Sequence, residues 1–278
     1  MNYRHAFHAG NFADIAKHAI LLDLLVGLEG GAGPLTVIDT HGGAGVYDLS
    51  GPEASRTQEA QGGIARLMAA ADPPGEFSAL KAAVRRLNPG RETRLYPGSP
   101  LLIAERLRHG DRLIACEARS DDHGALRLAL RAWPLAEAVK TDGWTLAARR
   151  APRSPAPLLV LIDPPYEASD DAAQAAELTR RVLAVNRRAV IAIWAPIKDL
   201  TSFDAMAGAL EDAAFGCPTL IAETRLRPLA DPMRLNGCAM VIVNPPVGLE
   251  TRAQRIVEWI GLTLGEGGEG RTRLGTGT

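Results

Sequence analysis

The chain has 278 residues, of which 46% are hydrophobic, and a formal net charge of −1. This composition is typical of a soluble globular protein, built as one large α/β domain or two small ones. No window holds the ~18 consecutive apolar residues that a membrane helix needs, and the first residues lack the apolar core of a secretory signal. Cys116, Cys217 and Cys238 lie far apart without metal-site spacing. We therefore expect a cytoplasmic protein with neither a disulfide framework nor a metal site.

The hydrophobic pattern predicts alternating helices and strands. Helical spacing of apolar residues recurs near 12–28, 119–132, 172–187, 201–214 and 249–262. Short apolar runs predict strands at Thr36–Thr40, Arg112–Glu117, Glu137–Asp142, Leu158–Asp163, Ala189–Trp194, Thr219–Thr224 and Cys238–Asn244. Such alternation indicates an α/β fold with a mostly parallel sheet covered on both faces. The last two strands are joined by a segment too short for a crossover helix, so we expect them to form an antiparallel edge pair.

Two segments depart from this rhythm. More than seventy residues separate the first two strands, whereas a simple βαβ unit needs about thirty. We expect a small helical insertion at 50–98, with helices near 54–71 and 75–88, within a single domain spanning 1–278. Residues 81–112 carry eight basic side chains against three acidic ones, which is typical of either a phosphate-binding surface or a solvated helix face. The Gly- and Thr-rich tail at 265–278 predicts disorder.

Three polar segments follow the first three strands of the predicted sheet. A glycine-rich loop at 41–45 permits a tight turn and a close backbone approach to a ligand, although it matches neither a phosphate loop nor the dinucleotide fingerprint. Glu117 ends the next strand, where an acid can accept hydrogen bonds from ribose hydroxyls. Asp142 and Gly143 follow the third strand, where a carboxylate can accept from an adenine amine. Each also fits a structural turn or a helix cap, and their ordered succession favours a nucleoside site.

The segment Asp163-Pro164-Pro165-Tyr166 follows the fourth strand. Two consecutive prolines make a rigid turn without N–H donors, so that its carbonyl groups are acceptors. An exocyclic amine has two N–H groups, which the Asp163 carboxylate and the Pro164 carbonyl can accept. Tyr166 provides a ring on which a base can stack. This pattern indicates methyl transfer to an amine. The similar segment 244–247 lacks the aromatic residue, and we interpret it as structural.

The N-terminal segment is rich in polar and aromatic residues just before a helix. Eight of them fall within eighteen positions: Tyr3, Arg4, His5, Phe7, His8, Asn11, Lys17 and His18. This density predicts either a site segment or a solvated terminus.

These motifs together resemble the RlmJ family of 23S ribosomal RNA adenine-N6 methyltransferases. The resemblance rests on YRHAFHAGNFADIAKH at the N-terminus, DTHGGAGVYDL, YPGSP, CE, TDGW and IDPPYE, which stand in the order of the family and cover most of the chain. It implies a Rossmann-like class I methyltransferase fold with S-adenosylmethionine as the cofactor. The chain departs from the family pattern in having Gly-Gly rather than Ala-Gly after His41.

The resemblance also implies roles for individual residues. The cofactor would be held by His18, His41, Ser99, Glu117, Asp142 and Gly143, with Gly43 in the glycine loop. Asp163 would be the catalytic acceptor, and the substrate would contact Tyr3, His5, Lys17, Pro164, Pro165 and Tyr166.

A base must leave its stack to reach Asp163, which costs a few kcal/mol and less for an unpaired base. We therefore expect a monomer that acts on protein-free or immature 23S ribosomal RNA. Two alternatives stay open: a DNA adenine-N6 or cytosine-N4 methyltransferase, and a non-catalytic nucleic-acid-binding protein.

Overall fold

The structure is a computed structural model that describes residues 4–31, 33–90, 92–231 and 233–276. The strands are β1 (Thr36–Asp39), β2 (Val46–Asp48), β3 (Leu95–Pro97), β4 (Arg112–Glu117), β5 (Ala136–Lys140), β6 (Leu158–Ile162), β7 (Val190–Ile197), β8 (Pro218–Arg225), β9 (Gly237–Val243) and β10 (Glu269–Thr276). The helices are α1 (Phe12–Leu28), α2 (Pro52–Thr57), α3 (Glu59–Gly62), α4 (Ile64–Ala69), α5 (Ser78–Leu87), α6 (Ser99–Ala104), α7 (Ser120–Ala129), α8 (Gly143–Arg150), α9 (Asp171–Val185), α10 (Leu200–Ala213) and α11 (Leu249–Leu264). Short 3₁₀ helices cover His5–Phe7 and Gly75–Phe77.

Eight strands form one sheet in the order β10-β8-β9-β7-β6-β1-β4-β5. The five strands from β7 to β5 in this order run parallel, and Thr36 of β1 lies beside both Arg112 of β4 and Leu158 of β6. Strands β9, β8 and β10 pair antiparallel. The predicted α/β class and mostly parallel sheet are thereby confirmed.

Helices cover both faces of the sheet. Strand residues alternate between two apolar layers, so that Val37 packs with α1, α7 and α11 whereas Ile38 packs with α9 and α10. Both residues are fully buried. Both faces of the central parallel strands β1, β6 and β7 are covered, so these strands are mostly apolar. The outer parallel strand β5 has the exposed residues Glu137 and Lys140.

The C-terminal prediction was wrong for most of the tail. Residues 269–276 form β10, which pairs with the whole length of β8 from Arg225 to Pro218, so the edge strand is β10 rather than either member of the predicted antiparallel pair. The glycines serve close packing here: a Cβ on Gly270 would lie 2.1 Å from the carbonyl carbon of Val257 in α11. Composition alone suggested flexibility, whereas the open hydrogen-bonding edge of β8 orders the segment. Residues 277 and 278 lie outside the described residues.

The segment 50–98 contains helices α2 to α5 and shares the main core. Ile64, Leu67, Phe77 and Leu80 are buried in the same apolar cluster as α1 and α11. The first predicted helix, 54–71, is divided into three at Gln58 and Gly63. A Cβ on Gly63 would lie 2.2 Å from the carbonyl oxygen of Gly10, so this glycine lets the segment pack against the N-terminal loop.

The basic stretch at 81–112 is largely engaged within the chain. Arg86 pairs with Glu105, Arg94 with Asp48, Arg106 with Glu29 and Arg108 with Asp111, while Lys81 donates to a carbonyl and Arg112 to a hydroxyl. Phosphates would therefore compete with internal partners, and phosphate contact by this stretch stays a prediction. In the part of the chain that the structure describes, no helix is long and apolar enough to cross a membrane.

Candidate active site

The predicted polar segments meet at one edge of the sheet. Strands β6, β1, β4 and β5 are consecutive neighbours and run parallel, so their carboxyl ends lie side by side. Asp163, the glycine loop at 41–45, Glu117 and Asp142 follow or end these four strands. Open α/β sheets bind ligands at this edge.

The glycine loop and Glu117 hold each other in place. The backbone N–H of Gly43 donates to Oε2 of Glu117 at 3.0 Å, and the N–H of Arg119 donates to Oε1 at 2.7 Å. Gly43 has a φ of +60°, and a Cβ there would lie 2.1 Å from the Tyr47 hydroxyl. Burial raises the pKa of Glu117 from its ordinary value. Each Glu117 oxygen keeps a further lone pair for a ligand hydroxyl.

Asp142 caps helix α8. Its two carboxylate oxygens accept from the backbone N–H groups of Trp144 at 3.3 Å and Thr145 at 3.0 Å. The next residue, Gly143, lies so close to the glycine loop that a Cβ would come within 2.0 Å of the Thr40 carbonyl oxygen. The loops after β1 and β5 therefore touch, and only glycine fits between them.

His41 is a neutral acceptor at the same edge. The Thr40 hydroxyl lies 3.0 Å from the Leu161 carbonyl, to which it donates, and 2.8 Å from Nδ1 of His41. Because that hydroxyl has a single proton, Nδ1 of His41 must donate, and Nε2 is left as an acceptor. Burial lowers the pKa of His41 to about 4. The ring lies edge-on to Trp144, with centroids 4.9 Å apart.

Ser99 contacts a buried carboxylate that the motif analysis did not single out. The Ser99 hydroxyl donates to Oδ2 of Asp39 at 2.7 Å, and the His41 N–H lies 3.2 Å from Oδ1. Asp39 is completely buried, and burial raises its pKa to about 6. Ser99 thus anchors the end of β1. The same residue is the first of α6, a helix that the sequence pattern did not predict.

His18 lies in the interior of the protein. It is 1% exposed, and Nδ1 lies 2.8 Å from the Tyr96 hydroxyl, with the two rings stacked. Burial lowers the pKa of His18 to about 3, so the ring is neutral at physiological pH. His18 therefore contacts Tyr96, a partner that the sequence did not indicate.

Lys17 joins the N-terminal helix to the Asp163 turn. Its Nζ lies 2.5 Å from Oδ2 of Asp163 and 2.9 Å from Oδ1 of Asp14, one turn earlier in α1. Burial disfavours the ammonium, but the two carboxylates raise the pKa of Lys17 well above its ordinary value. Lys17 is therefore a charged partner of Asp163 near neutral pH.

Asp14 is the residue of this cluster that sequence analysis missed. It is 2% exposed, and Oδ2 accepts from Gly10 N and from Nε2 of His5, each at 2.9 Å. Asn11 caps α1 by accepting from the Asp14 N–H at 3.0 Å. The Asn-x-x-Asp spacing resembles an ordinary helix capping pattern, which hid its connection to the site. His5 thus reaches the cluster through Asp14, and Tyr3 lies outside the described residues.

Tyr166 is fixed by its own backbone and by β7. It has a φ of +51°, and its hydroxyl donates to the Trp194 carbonyl at 2.5 Å, with the two rings 5.7 Å apart. Pro164 and Pro165 form the turn between it and Asp163. The segment that begins at Asn244 lies at the other end of the sheet, beside the amino end of β7. Its Asn244 side chain donates to the carbonyl groups of Arg187 and Ala189, which precede β7.

This fold and site define a Rossmann-like class I methyltransferase. The residues at this edge fit S-adenosylmethionine, which has hydroxyl and amino groups to donate: Glu117 and the neutral His41 offer acceptors of the kind that such groups require. Two glycines at close approaches shape the loops between these residues. These residues lie over β1, β4 and β5, whereas Lys17 and Asp163 lie beside them over β6.

Comparisons with known proteins show the family. Residues 32–275 match the family described as "Ribosomal RNA large subunit methyltransferase D, RlmJ". The chain is 32% identical to ribosomal RNA large subunit methyltransferase J of Escherichia coli, with 99% of this chain and 98% of the relative covered. It is 33% identical to the protein of the same name from Haemophilus influenzae, with 97% and 96% covered. The chain belongs to this family and is an S-adenosylmethionine-dependent ribosomal RNA methyltransferase.

A solved structure shares the fold. Protein LPL1258 from Legionella pneumophila superposes with a TM-score of 0.87 at 24% identity, and the match covers 98% of this chain and 99% of that one.

Proposed function

We propose that the protein methylates the N6 amine of an adenine in 23S ribosomal RNA and that Asp163 is the acceptor for that amine. The observation that carries the proposal is the ion pair between Lys17 and Asp163 at the end of β6. It places a carboxylate, whose orientation is set by a buried ammonium, directly before a turn that has no N–H donors.

The two oxygens of Asp163 have different surroundings. Oδ2 accepts from Lys17, while Oδ1 has no protein donor among the described residues. Oδ1 and the Pro164 carbonyl therefore provide the two acceptors that one exocyclic amine requires. Accepting both N–H bonds keeps the nitrogen lone pair available for attack. As the nitrogen–carbon bond forms, the nitrogen must lose one proton, and Asp163 is the carboxylate placed to receive it.

The cofactor roles of seven residues form the other half of the proposal. Bound S-adenosylmethionine supplies a methyl group on a positively charged sulfur. The residues proposed to hold it are His18, His41, Gly43, Ser99, Glu117, Asp142 and Gly143. Glu117 and His41 offer acceptors that can contact the cofactor directly, and Asp142 and the glycines shape the loops around it. Ser99 and His18 would act indirectly, since Ser99 hydrogen-bonds to Asp39 and His18 to Tyr96.

The substrate side rests on the N-terminal segment and the Asp163 turn. Tyr3, His5, Lys17, Pro164, Pro165 and Tyr166 are the residues proposed to contact the RNA. An adenine must be unstacked to reach Asp163, so we propose that protein-free or immature RNA is the preferred form and that the enzyme acts in the cytoplasm as a monomer.

The test is mass spectrometry of nucleosides after incubation with S-adenosylmethionine and unmodified 23S RNA. We expect N6-methyladenosine to increase with the wild type and to be absent with Asp163→Ala, which removes both carboxylate oxygens. Asp199→Ala is the matched control, because it removes a carboxylate that caps α10 and has Ser202 as its partner.

Four outcomes would contradict the proposal. Methylation of DNA oligomers but not RNA would indicate the DNA methyltransferase alternative. Cofactor binding without transfer to any nucleic acid would indicate a binding protein. Full activity of folded Asp163→Ala would exclude the acceptor role. Equal rates on assembled subunits and naked RNA would contradict the substrate preference.

A further inference from the structure

We propose that Asp14 is a positioning residue that acts through Lys17 to keep one oxygen of Asp163 open for the substrate amine. This inference rests on the proposed function of Asp163. Asp14 does not contact the turn itself; it lies behind Lys17, which lies between the two carboxylates.

The surroundings of Asp14 are unusual for a helix-capping acid. Three donors converge on a carboxylate that is 2% exposed: Gly10 N, the His5 ring and the Lys17 ammonium. Burying a carboxylate is unfavourable unless it is paired and hydrogen-bonded. A solvent-exposed acid would be sufficient to stabilise the first turn of α1. The buried cluster therefore points to a role beyond capping.

The geometry of the ammonium shows what Asp14 does. Lys17 directs separate N–H groups to Oδ1 of Asp14 and to Oδ2 of Asp163. Without the Asp14 charge, Lys17 would have a single carboxylate partner and would be free to lie between both oxygens of Asp163. That position would block Oδ1, the oxygen that the amine needs.

The charges of the cluster lead to the same conclusion. Apart from His5, the Lys17 ammonium and the two carboxylates that it contacts carry a net charge of −1, which favours a hydrogen-bond donor such as an amine. Neutralising Asp14 would leave a balanced ion pair, which is a weaker acceptor. Asp14 also accepts a hydrogen bond from the His5 ring, whose centroid lies 4.9 Å from that of the Tyr47 ring. One carboxylate therefore connects the N-terminal segment to the site.

The first experiment compares steady-state methyl transfer by Asp14→Asn and Asp23→Asn. Asp23 lies on the same helix and pairs with Arg252 at 2.7 Å, away from the site. For Asp14→Asn we expect kcat to fall about 10- to 100-fold, the loss typical of misplaced reacting groups, with an unchanged KM for the cofactor. Asp23→Asn should keep the wild-type kcat, although both variants lose thermal stability.

The second experiment measures the Lys17 titration by NMR of lysine labelled with ¹³C at Cε. Asp14 and Asp163 contact Lys17 directly, and His5 is a partner of Asp14. The other titratable groups that interact with Lys17 are His18, Asp39, Tyr47, Tyr96 and Cys238. Removing the Asp14 charge leaves burial opposed by one contacting carboxylate, so the pKa of Lys17 should be lower in Asp14→Asn than in the wild type. The alkaline limb of the rate profile should move to lower pH with it.

The inference is overturned if folded Asp14→Asn keeps a wild-type kcat, or if the Lys17 titration does not move. If Asp14→Asn does not fold, Asp14→Glu replaces it: this variant keeps the charge, so Lys17 should titrate as in the wild type while the displaced ammonium still lowers kcat. A wild-type Asp14→Glu kcat overturns the inference as well. If the wild type transfers no methyl group, the proposed function has failed, and the lysine titration still decides whether Asp14 controls Lys17.

Discussion

Replacing Lys17 by methionine tests the buried charge cluster most directly. Methionine has a similar volume, so the substitution removes the charge and leaves no large cavity. Asp14 is 2% exposed and would then lie near Asp163 with no cation between them. Breaking a buried ion pair by removing one partner costs about 3–5 kcal/mol, because the remaining charge is uncompensated.

Protonation limits this cost. A carboxyl group with an unfolded pKa of about 3.9 takes up a proton at a cost of about 1.4 kcal/mol per pH unit, which is about 4 kcal/mol near pH 7. Both estimates agree, so we expect Lys17→Met to lower the free energy of unfolding by about 3–4 kcal/mol near pH 7. Near pH 4.5 the same proton costs only about 1 kcal/mol, so the loss should shrink accordingly.

The sign of this pH dependence follows from the direction of the shifts. In the wild type, burial acts to raise the pKa of Asp14, but His5 and Lys17 hold it well below its ordinary value. The stabilising contribution of Asp14 is therefore present above the unfolded pKa and is lost as the pH falls through the folded one. In Lys17→Met the folded pKa of Asp14 rises above the unfolded one, so the penalty grows as the pH rises.

Urea denaturation of wild type and variant, at about pH 4.5 and about pH 7.5, measures both free energies. Lys81→Met is the control, because the Lys81 ammonium donates to the Ala70 carbonyl at 3.2 Å rather than to a carboxylate. We expect it to cost less than about 1 kcal/mol at either pH. A loss below about 1 kcal/mol for Lys17→Met near pH 7, or a loss that does not change with pH, would refute the reasoning.

Three further predictions address the cofactor loops and the edge of the sheet. Glu117→Ala should weaken cofactor binding by about 1–3 kcal/mol in calorimetry because buried donors lose their acceptor, and an unchanged Kd would exclude that role. Gly143→Ala should raise the cofactor Kd and lower Tm, since its Cβ would lie 2.0 Å from the Thr40 carbonyl oxygen; unchanged values would contradict the close approach. Deleting residues 266–278 should lower Tm, because it removes β10 and one arginine partner of the buried Glu223. A chain that keeps its full stability without the tail would show that β10 adds nothing.

The local pattern of apolar and polar residues was sufficient to predict the fold class and most strands of the main sheet. Short apolar runs predicted seven strands of the main sheet. The pattern is clearest for the central strands, because strands that are buried on both faces consist mainly of hydrophobic residues. The order of polar residues after β1, β4, β5 and β6 then placed Glu117, Asp142 and Asp163 at one edge, since carboxyl ends of adjacent parallel strands coincide. The common position of these residues could therefore be predicted from residue types and topology, while their roles stay a prediction.

Several elements were not predicted because contacts with neighbouring elements stabilise them. The two-stranded sheet of β2 and β3 has three residue pairs, from Val46 opposite Pro97 to Asp48 opposite Leu95. Helices α6 and α8 have six and eight residues, too few for a clear period of 3.6. Strand β10 has a composition typical of disorder and becomes ordered by pairing with β8. In none of these segments does the spacing of apolar residues indicate a helix or a strand.

What the sequence determined by itself was the fold class and the order of the site segments, because both depend on residue type and local spacing; the same pattern made Asp163 the proposed acceptor. What only the tertiary structure decided was which charges meet. Lys17 and Asp163 are 146 positions apart and lie 2.5 Å from each other, with Asp14 buried behind them. Burial and pairing depend on contacts distant in the chain, so an acid that resembles a helix cap in the sequence becomes part of the active-site charge cluster in the folded protein.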